Sequence, residues 1–393
     1  MNYSIFHKFV FFIRKHSYYF SKITISLKKN TLLEPKNQMK QKILIVNSGG
    51  DCPGMNAVIR AIVKRANQES NWEIIGSING FDGILSAPLE IISLKEEQVE
   101  GIHLEGGTIL TTNSTRNPFS YPVKQEDGSI KNEDLTDKLI YNLKVHNFDA
   151  IIHIGGNESQ KTSLKLAQKG VNIVGVPKTI NNDISVTDYS FGFQTASQIA
   201  TEAIDKLVTT ANSHNRVLIL EVMGNNAGWI ALNASIAGGA DVCLIPEIPF
   251  KLEEIIKKLK ARYSDDGRGF ANIVVAEGAI LIDEDGTKIK GNIAQIISAK
   301  LKDLNFPADI RETILGHLQR GGTPVAFDRI LATELGVKAF ELVHEKKFGT
   351  MAIHKNSELQ HIKLEEVINK YNKVELTHNL IQTAKGIGIS FGN

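Results

Sequence analysis

The residues that could do chemistry sit where short apolar runs end. Asp51, Arg116, Asn157, Asn181, Asp183, Arg216, Glu277, Arg311, His317 and Arg320 all border such runs. Four arginines, a histidine and two glycine turns (Gly49-Gly50 and Gly155-Gly156), in a chain of net charge +2, point to a ligand with several negative charges. Arginine's planar fork holds phosphate oxygens in pairs, which a lysine ammonium cannot do. A glycine turn that opens a helix offers backbone N–H groups at the positive end of the helix dipole, and a Cβ there would hold phosphate oxygens off. Each feature also has a plainer reading. Any one arginine can form a surface ion pair, and many α/β turns carry Gly-Gly for packing alone. His153, inside an apolar strand, reads as a core histidine. Cys52 reads as a small residue at a tight turn, with no base beside it in sequence.

These residues need elements to place them, and the clearest run is Phe148–Tyr189. It reads as a buried strand (Ala150–Ile154), a glycine turn, a helix opening at Ser159 and a second strand (Asn172–Val176). A polar loop with Lys178, Thr179, Asn181, Asn182 and Asp183 follows. Short apolar runs alternating with a helical pattern predict a βαβ unit in a parallel sheet. In such a sheet the binding crevice lies at the carboxyl ends of the strands. The same arrangement occurs earlier as strand Ile43–Val46, turn Ser48–Asn56 and helix Ala57–Ala66, which hints at two related units. Between them lies a further Gly-Gly loop, Gly106–Phe119, and Lys124–Asn132 reads as a surface loop. Downstream the pattern predicts helix Thr195–Thr210, strand Arg216–Val222, loop Met223–Trp229, strand Val242–Ile245 and helix Leu252–Tyr263. Strand Ile273–Ala276, a helix near Asn292–Lys302, the polar run Gly316–Arg329 and helix Leu331–Leu342 complete it. The chain beyond Phe348 reads as polar and without legible chemistry.

Composition narrows the class. With 393 residues, 42% hydrophobic and 22% charged, the chain has ample material for a globular core. A near-neutral balance gives no argument for nucleic acid, and no run approaches the ~20 apolar residues of a membrane helix. Two cysteines make no disulfide framework, which favours a cytoplasmic, reducing setting. Residues 1–38 differ: they are aromatic and basic, with Glu34 their one acid. We read them as a disordered or mis-called N-terminal extension preceding Met39, since the apolar run Phe9–Ile13 is short for a signal peptide.

Six stretches occur in one order: SGGDCPGMNAVIRA, GGTIL, VPKTINNDISVTDYSFGF, VLILEVMGNNAGWIAL, VVAEGA and LGHLQRGGTPVAFDRILAT. With these the chain resembles the phosphofructokinases from Met39 to about Lys370. Lys178 and the Gly228-Trp229 pair place the resemblance in the mixed group that uses ATP or pyrophosphate. It implies an α/β fold of two similar doubly wound lobes, mainly parallel, with the active site in the cleft between them. Residues 39–192 plus 319–370 would form the donor-binding lobe, 193–318 the sugar-phosphate-binding lobe and 371–393 a C-terminal tail. The implied reaction is magnesium-dependent transfer of a phosphoryl group to the 1-hydroxyl of fructose 6-phosphate, in glycolysis.

Position by position, Gly50, Arg116, Asn157, Glu158 and Ser159 fall on the donor site. Thr179 falls where sugar and transferring phosphoryl are held. Arg216, Met223, Gly224, Asn225, Glu277, Arg311, His317 and Arg320 fall on the sugar-phosphate site, and Asp183 matches an acid involved with the metal or the transferring group. In oligomeric members Arg216 and Arg311 reach in from a neighbouring subunit, so a homo-oligomer, dimer or tetramer, is implied. Four positions depart from the family: Asn157 at the magnesium acid, Glu158 where glycine admits ATP and aspartate favours pyrophosphate, Asn181 at the general base and Asn225 at an arginine that supports the phosphoryl. An amide cannot accept the hydroxyl proton, and a positioned base contributes about 10²–10⁴-fold. Asn157 also leaves the Mg²⁺ site weak. The sequence therefore supports a 6-phosphofructokinase of reduced activity. The alternative from another class is a catalytically silent sugar-phosphate-binding subunit that works with an active paralogue. Arg60 matches a basic position of the bacterial effector site, but Lys64 replaces an arginine and Val208 stands where another would be, so strong nucleotide activation is not expected.

Overall fold

β1 (Gln41–Asn47) is apolar on both faces: Ile43 and Ile45 enter one hydrophobic layer, Leu44 and Val46 another, and all four are fully buried. A strand covered on both sides belongs in the middle of a parallel sheet. The computed structural model describes residues 40–264 and 269–393 and places it there. The expected extension over residues 1–38 lies outside the described residues.

β2 (Trp72–Ser77) pairs parallel with one side of β1, and β3 (Ile91–Ser93) closes that edge antiparallel. The stretch read as a loop over Lys124–Asn132 is instead part of a hairpin, β4 (Tyr121–Lys124) and β5 (Ile130–Glu133). Arms of four residues are too short for alternation to be legible in sequence. The chain then returns to the other side of β1 with β6 (Ala150–Gly155) and β7 (Ile173–Pro177). Strand order therefore reverses between β1 and β6, and a crevice at such a reversal is where α/β sheets bind ligands.

β8 (Val217–Val222), β9 (Val242–Leu244), β11 (Ala271–Ala276) and β14 (Ile310–Ile314) form a second, all-parallel sheet in the order β14-β8-β11-β9. β10 (Phe250–Lys251), β12 (Ile280–Ile282) and β13 (Lys288–Lys290) make a small separate sheet. Beyond Phe348, where the sequence shows only polarity, β15 (Thr350–Lys355) and β16 (Glu358–Lys363) extend the first sheet to seven strands in the order β16-β15-β7-β6-β1-β2-β3. β16 is an edge strand with one wet face, so its composition is polar although its backbone is paired.

One hydrophobic layer joins the two sheets. It takes Ile152 and Val174 from the first, Leu220, Val222 and Val274 from the second, and Ala196, Ala200 and Ile204 from the helix Phe193–His214. Residues 41–393 hold together as one compact unit on that layer. The helices run longer than their periodicity suggests: Asn157–Gln168 starts two residues before Ser159, and Ala326–His344 starts five before Leu331. Their polar first turns carry no apolar repeat. Among the described residues no helix is long and apolar enough to cross a membrane.

Candidate functional site

The turn after β1 is built for close approach. Gly49 has φ +81°, a left-handed conformation that favours glycine. A Cβ on Gly50 would lie 2.6 Å from the Arg320 guanidinium. The turn is tied in on three sides. Gly49 N–H donates to the Asn113 carbonyl (2.9 Å), and Thr112 Oγ1 donates to the Gly49 carbonyl (2.8 Å). His153, fully buried in β6, bonds Ser48 Oγ and Ser163 Oγ through its two ring nitrogens, each at 2.7 Å. Burial, with the nearby Lys178 charge, pushes His153 down to about 3, so it is a neutral core histidine that also anchors the turn. Cys52 is likewise structural: its thiol is buried, pushed up to about 12, and donates weakly to the Phe191 carbonyl.

Below this turn is a cavity of about 270 Å³. Gly49, Gly50 and Arg320 line it from one side; Gly156, Asn157, Glu158 and Ser159 bring the N-terminus of the helix Asn157–Gln168 to another. Unpaired N–H groups and the dipole make such a helix end favourable for anions. Lys178, Thr179, Asn181 and Asp183 supply the loop after β7, and Asn225, Asn226 and Tyr371 complete the lining.

The charges in this cavity are buried ones. Lys178 is 4% exposed, and its ammonium donates to the Gly50 carbonyl. Desolvation pulls it down to about 8. Asp183 is 9% exposed, and burial raises its carboxyl above the ordinary range, with partial relief from hydrogen bonds to the Thr179 and Asn181 side chains. Asn181 is thus a neutral donor toward Asp183, while its own Oδ1 is buried with no partner. Asn157 commits its Nδ2–H to the Asp183 carbonyl at 3.1 Å. Glu158 is tied to Lys161 and Tyr371, and these bonds hold its carboxyl below the ordinary range.

The other expected residues lie in several places. Met223, Gly224 and Asn225 follow β8, and a single oxygen of Glu277 orders them, accepting from Gly224 N–H (3.0 Å) and Asn225 N–H (2.6 Å). Gln319, which the sequence reading passed over, is fully buried and accepts from Met223 N–H at 2.7 Å. Arg320 lies against Gly50 and donates to the Asp51 carbonyl at 3.1 Å. His317 is exposed on the same short helix, Gly316–Arg320. Arg116 lines a smaller neighbouring cavity, of about 100 Å³, where Asp82 (2.9 Å) and Tyr121 (3.2 Å) hold it.

Arg216 and Arg311, which the resemblance assigns to a neighbouring subunit's site, lie elsewhere in this chain. They lie at the amino ends of β8 and β14, the opposite edge of the second sheet from Met223, and both pair with Asp309 (2.8 and 3.1 Å). A single chain does not bring them to the cavity. Lys178, read from sequence as a loop cation and a mark of the mixed group, Asn226, and Tyr371, in a segment read as a plain tail, line the cavity without having been picked out as site residues. A lone tyrosine in a polar run carries no local signal. At the position matched to the effector site, Lys64 is already paired with Glu96 (2.6 Å) and Glu100 (3.3 Å).

Comparison with known proteins agrees with this geometry. The phosphofructokinase family model matches residues 42–343. The ATP-dependent 6-phosphofructokinase 2 of Clostridium perfringens is 44% identical, covering 90% of this chain and 99% of its own. The ATP-dependent 6-phosphofructokinase 1 of Synechocystis is 41% identical, covering 90% and 99%. The crystal structure of Pichia pastoris phosphofructokinase in the T-state superposes with a TM-score of 0.72 at 28% identity, over 91% of this chain but only 37% of the Pichia chain. Sequence, cavity and likeness agree: the chain belongs to the phosphofructokinase family.

Proposed function

We propose that this chain is an active 6-phosphofructokinase that transfers the terminal phosphoryl group of ATP to the 1-hydroxyl of fructose 6-phosphate. The observation that carries this reading is the convergence of Lys178, Arg320 and the Gly49-Gly50 turn on one cavity with Asp183. Phosphoryl transfer with a loose transition state depends mainly on positioning and charge stabilisation, and those groups supply both. In our reading residues 39–192 and 319–370 hold the donor and residues 193–318 the sugar phosphate.

Asp183 takes the base role left open by Asn181. Its burial raises its proton affinity, which suits a base at neutral pH. Asn181 donates to it rather than competing for the proton. Glu158 is a poorer base, because Lys161 and Tyr371 both donate to its Oε1 and hold its carboxyl below the ordinary range. The sugar O1 attacks the terminal phosphorus, its proton passes to Asp183, and the bond to the leaving diphosphate breaks. Donor phosphates sit on the glycine turn and the helix N-terminus, with Lys178 and Arg320 beside them.

Oxygen ligands would suit Mg²⁺ held mainly through the substrate phosphates. The partnerless Asn181 Oδ1 and the Asn157 side-chain carbonyl oxygen are neutral ligands of the right hardness, which leaves the Asp183 carboxylate free to take the proton. Bound there with the donor, the ion would neutralise charge on the transferring group. No cluster of three acidic, His or Cys ligands exists among the described residues, so the metal would depend on the nucleotide to stay.

The test is a rate assay on the purified protein, with fructose 6-phosphate and either ATP or pyrophosphate, with and without Mg²⁺, beside calorimetric binding of the sugar phosphate. Turnover that Asp183→Asn lowers by about 10²–10⁴-fold supports the reading. Tight sugar binding with no turnover, and turnover gained in Asn181→Asp, replaces it with the silent subunit.

A further inference from the structure

Glu158 stands on the partition between the two cavities. It lines the larger with Lys178 and the smaller with Arg116, a double position shared with Gly49 and Ser159 alone among their linings. At about 270 Å³ the larger cavity has room for a short diphosphate. A nucleoside triphosphate extending toward Arg116 must pass the Glu158 carboxylate. Left unpaired, that carboxylate would repel the passing phosphates and favour the shorter donor.

It is not left unpaired. Glu158 Oε1 accepts from Lys161 Nζ at 2.7 Å and from the Tyr371 hydroxyl at 3.0 Å. Lys161 also lies 6.0 Å from the centre of the Tyr371 ring, so the three side chains close a triangle. The backbone that delivers Tyr371 is firmly held. Tyr371 bridges Ile184, and the next residue, Asn372, donates its N–H to the Asp183 carbonyl (2.9 Å) and its Nδ2–H to the Asn182 carbonyl (2.8 Å). The Asn372 carbonyl accepts from Trp229 Nε1 at 2.8 Å. The C-terminal segment is therefore tied to the Asn182-Asp183 loop on one side and to the start of the helix Trp229–Gly238 on the other.

The geometry points to a donor clamp: Lys161 and Tyr371 hold the Glu158 carboxylate on the partition with its charge offset, which lets the phosphates of a nucleoside triphosphate pass between the cavities. Lys161 and Tyr371 are positioning residues for Glu158, and the set of three decides donor preference rather than the residue at 158 alone. This inference rests on reading the larger cavity as a phosphoryl-donor site.

Binding measured without the sugar separates the clamp from the catalytic reading. MgATP and magnesium pyrophosphate are titrated calorimetrically into the full chain, native and as Lys161→Met, Tyr371→Phe, Glu158→Gln and Lys161→Met/Glu158→Gln. Lys161→Met weakens ATP binding about fivefold at low salt, the size of one exposed charge interaction, and changes pyrophosphate binding less than about twofold. Tyr371→Phe acts in the same direction and more weakly. Adding Glu158→Gln to Lys161→Met restores the affinity, and about 0.5 M salt closes the gap; a mere packing defect responds to neither. Lys161→Gln replaces the methionine variant should that one fail to fold. Native affinity for ATP in both single clamp variants, a loss that Glu158→Gln does not recover, or a native chain that binds no ATP overturns the clamp. Expected binding without turnover on any donor leaves the clamp standing and sinks the catalytic reading.

Discussion

Lys178 is a buried lysine without a buried partner carboxylate touching it, and its energetics follow from that. Its folded value of about 8 lies below the ordinary 10.5 of a lysine, so folding works against its charge. The sign is set by proton counts. Below pH 8 both folded and unfolded chains hold the proton, and the native state carries a desolvation cost on the order of 3 kcal/mol. Between pH 8 and 10.5 the unfolded chain holds more protons, so this residue's contribution to stability rises with pH there. Phosphates arriving in the cavity reverse the preference, since a negative neighbour favours the ammonium. MgATP binding at about pH 8.5 should therefore take up a fraction of one proton, seen as a dependence of the calorimetric heat on buffer ionisation enthalpy. Lys178→Met should abolish that uptake and flatten the fall in ATP affinity above pH 8. A native chain with no proton uptake would mean that Lys178 does not meet the phosphates. Asp183 acts in the opposite sense. Its raised carboxyl must be ionised to accept a proton, so kcat should fall as pH drops, with an apparent midpoint above the ordinary carboxylate range. A pH–rate profile flat down to the ordinary range would remove Asp183 from the base role.

The elements show why these residues sit as they do. The Met223–Asn226 turn has no regular structure of its own; Glu277 caps two of its N–H groups, and Gly278 leaves room for it. A Cβ on Gly278 would lie 2.0 Å from the Asn225 carbonyl, so Gly278→Ala must push the turn off its acid. We expect a higher KM for fructose 6-phosphate with a melting temperature within a few degrees of native, read by steady-state kinetics beside a thermal melt; an unchanged KM would show the turn is not part of the sugar site. The strand–turn–helix units after β1 and β6 were legible in sequence because both faces of their strands are buried, so apolar runs end sharply at glycine. The loop Lys178–Asp183 was legible for the same reason. The hairpin β4–β5 and the strands β15 and β16 were not, since short or half-wet strands leave no continuous run. Tyr371 was illegible in a stronger sense: its role comes from a partner 213 positions away, Glu158, and no local pattern encodes such a pairing.

At the scale of the whole molecule, the second sheet sets a limit that one chain cannot meet. Arg216 precedes β8 and Met223 follows it, so the six residues of β8 separate them by roughly 20 Å of strand. Arg216 and Arg311 share Asp309 at that far edge, and the Arg311 side chain is 60% exposed. Two cations gathered on one acid carry a net positive charge toward solvent, a surface able to receive a phosphate but remote from Asp183 of the same chain. If the sugar phosphate uses them, they must belong to a second copy. Mixing inactive variants tests this directly. Asp183→Asn retains both arginines, and Arg216→Ala/Arg311→Ala retains the base. Each alone should turn over poorly, whereas co-expressed chains should assemble some sites with an intact Asp183 from one copy and intact arginines from its neighbour. Activity of the mixture well above the sum of its parts, lost on dilution below the assembly concentration, is the expected result. A mixture no better than its components, with mixed oligomers verified by differential tagging, would place the arginines outside the sugar site and confine the chemistry to a single chain.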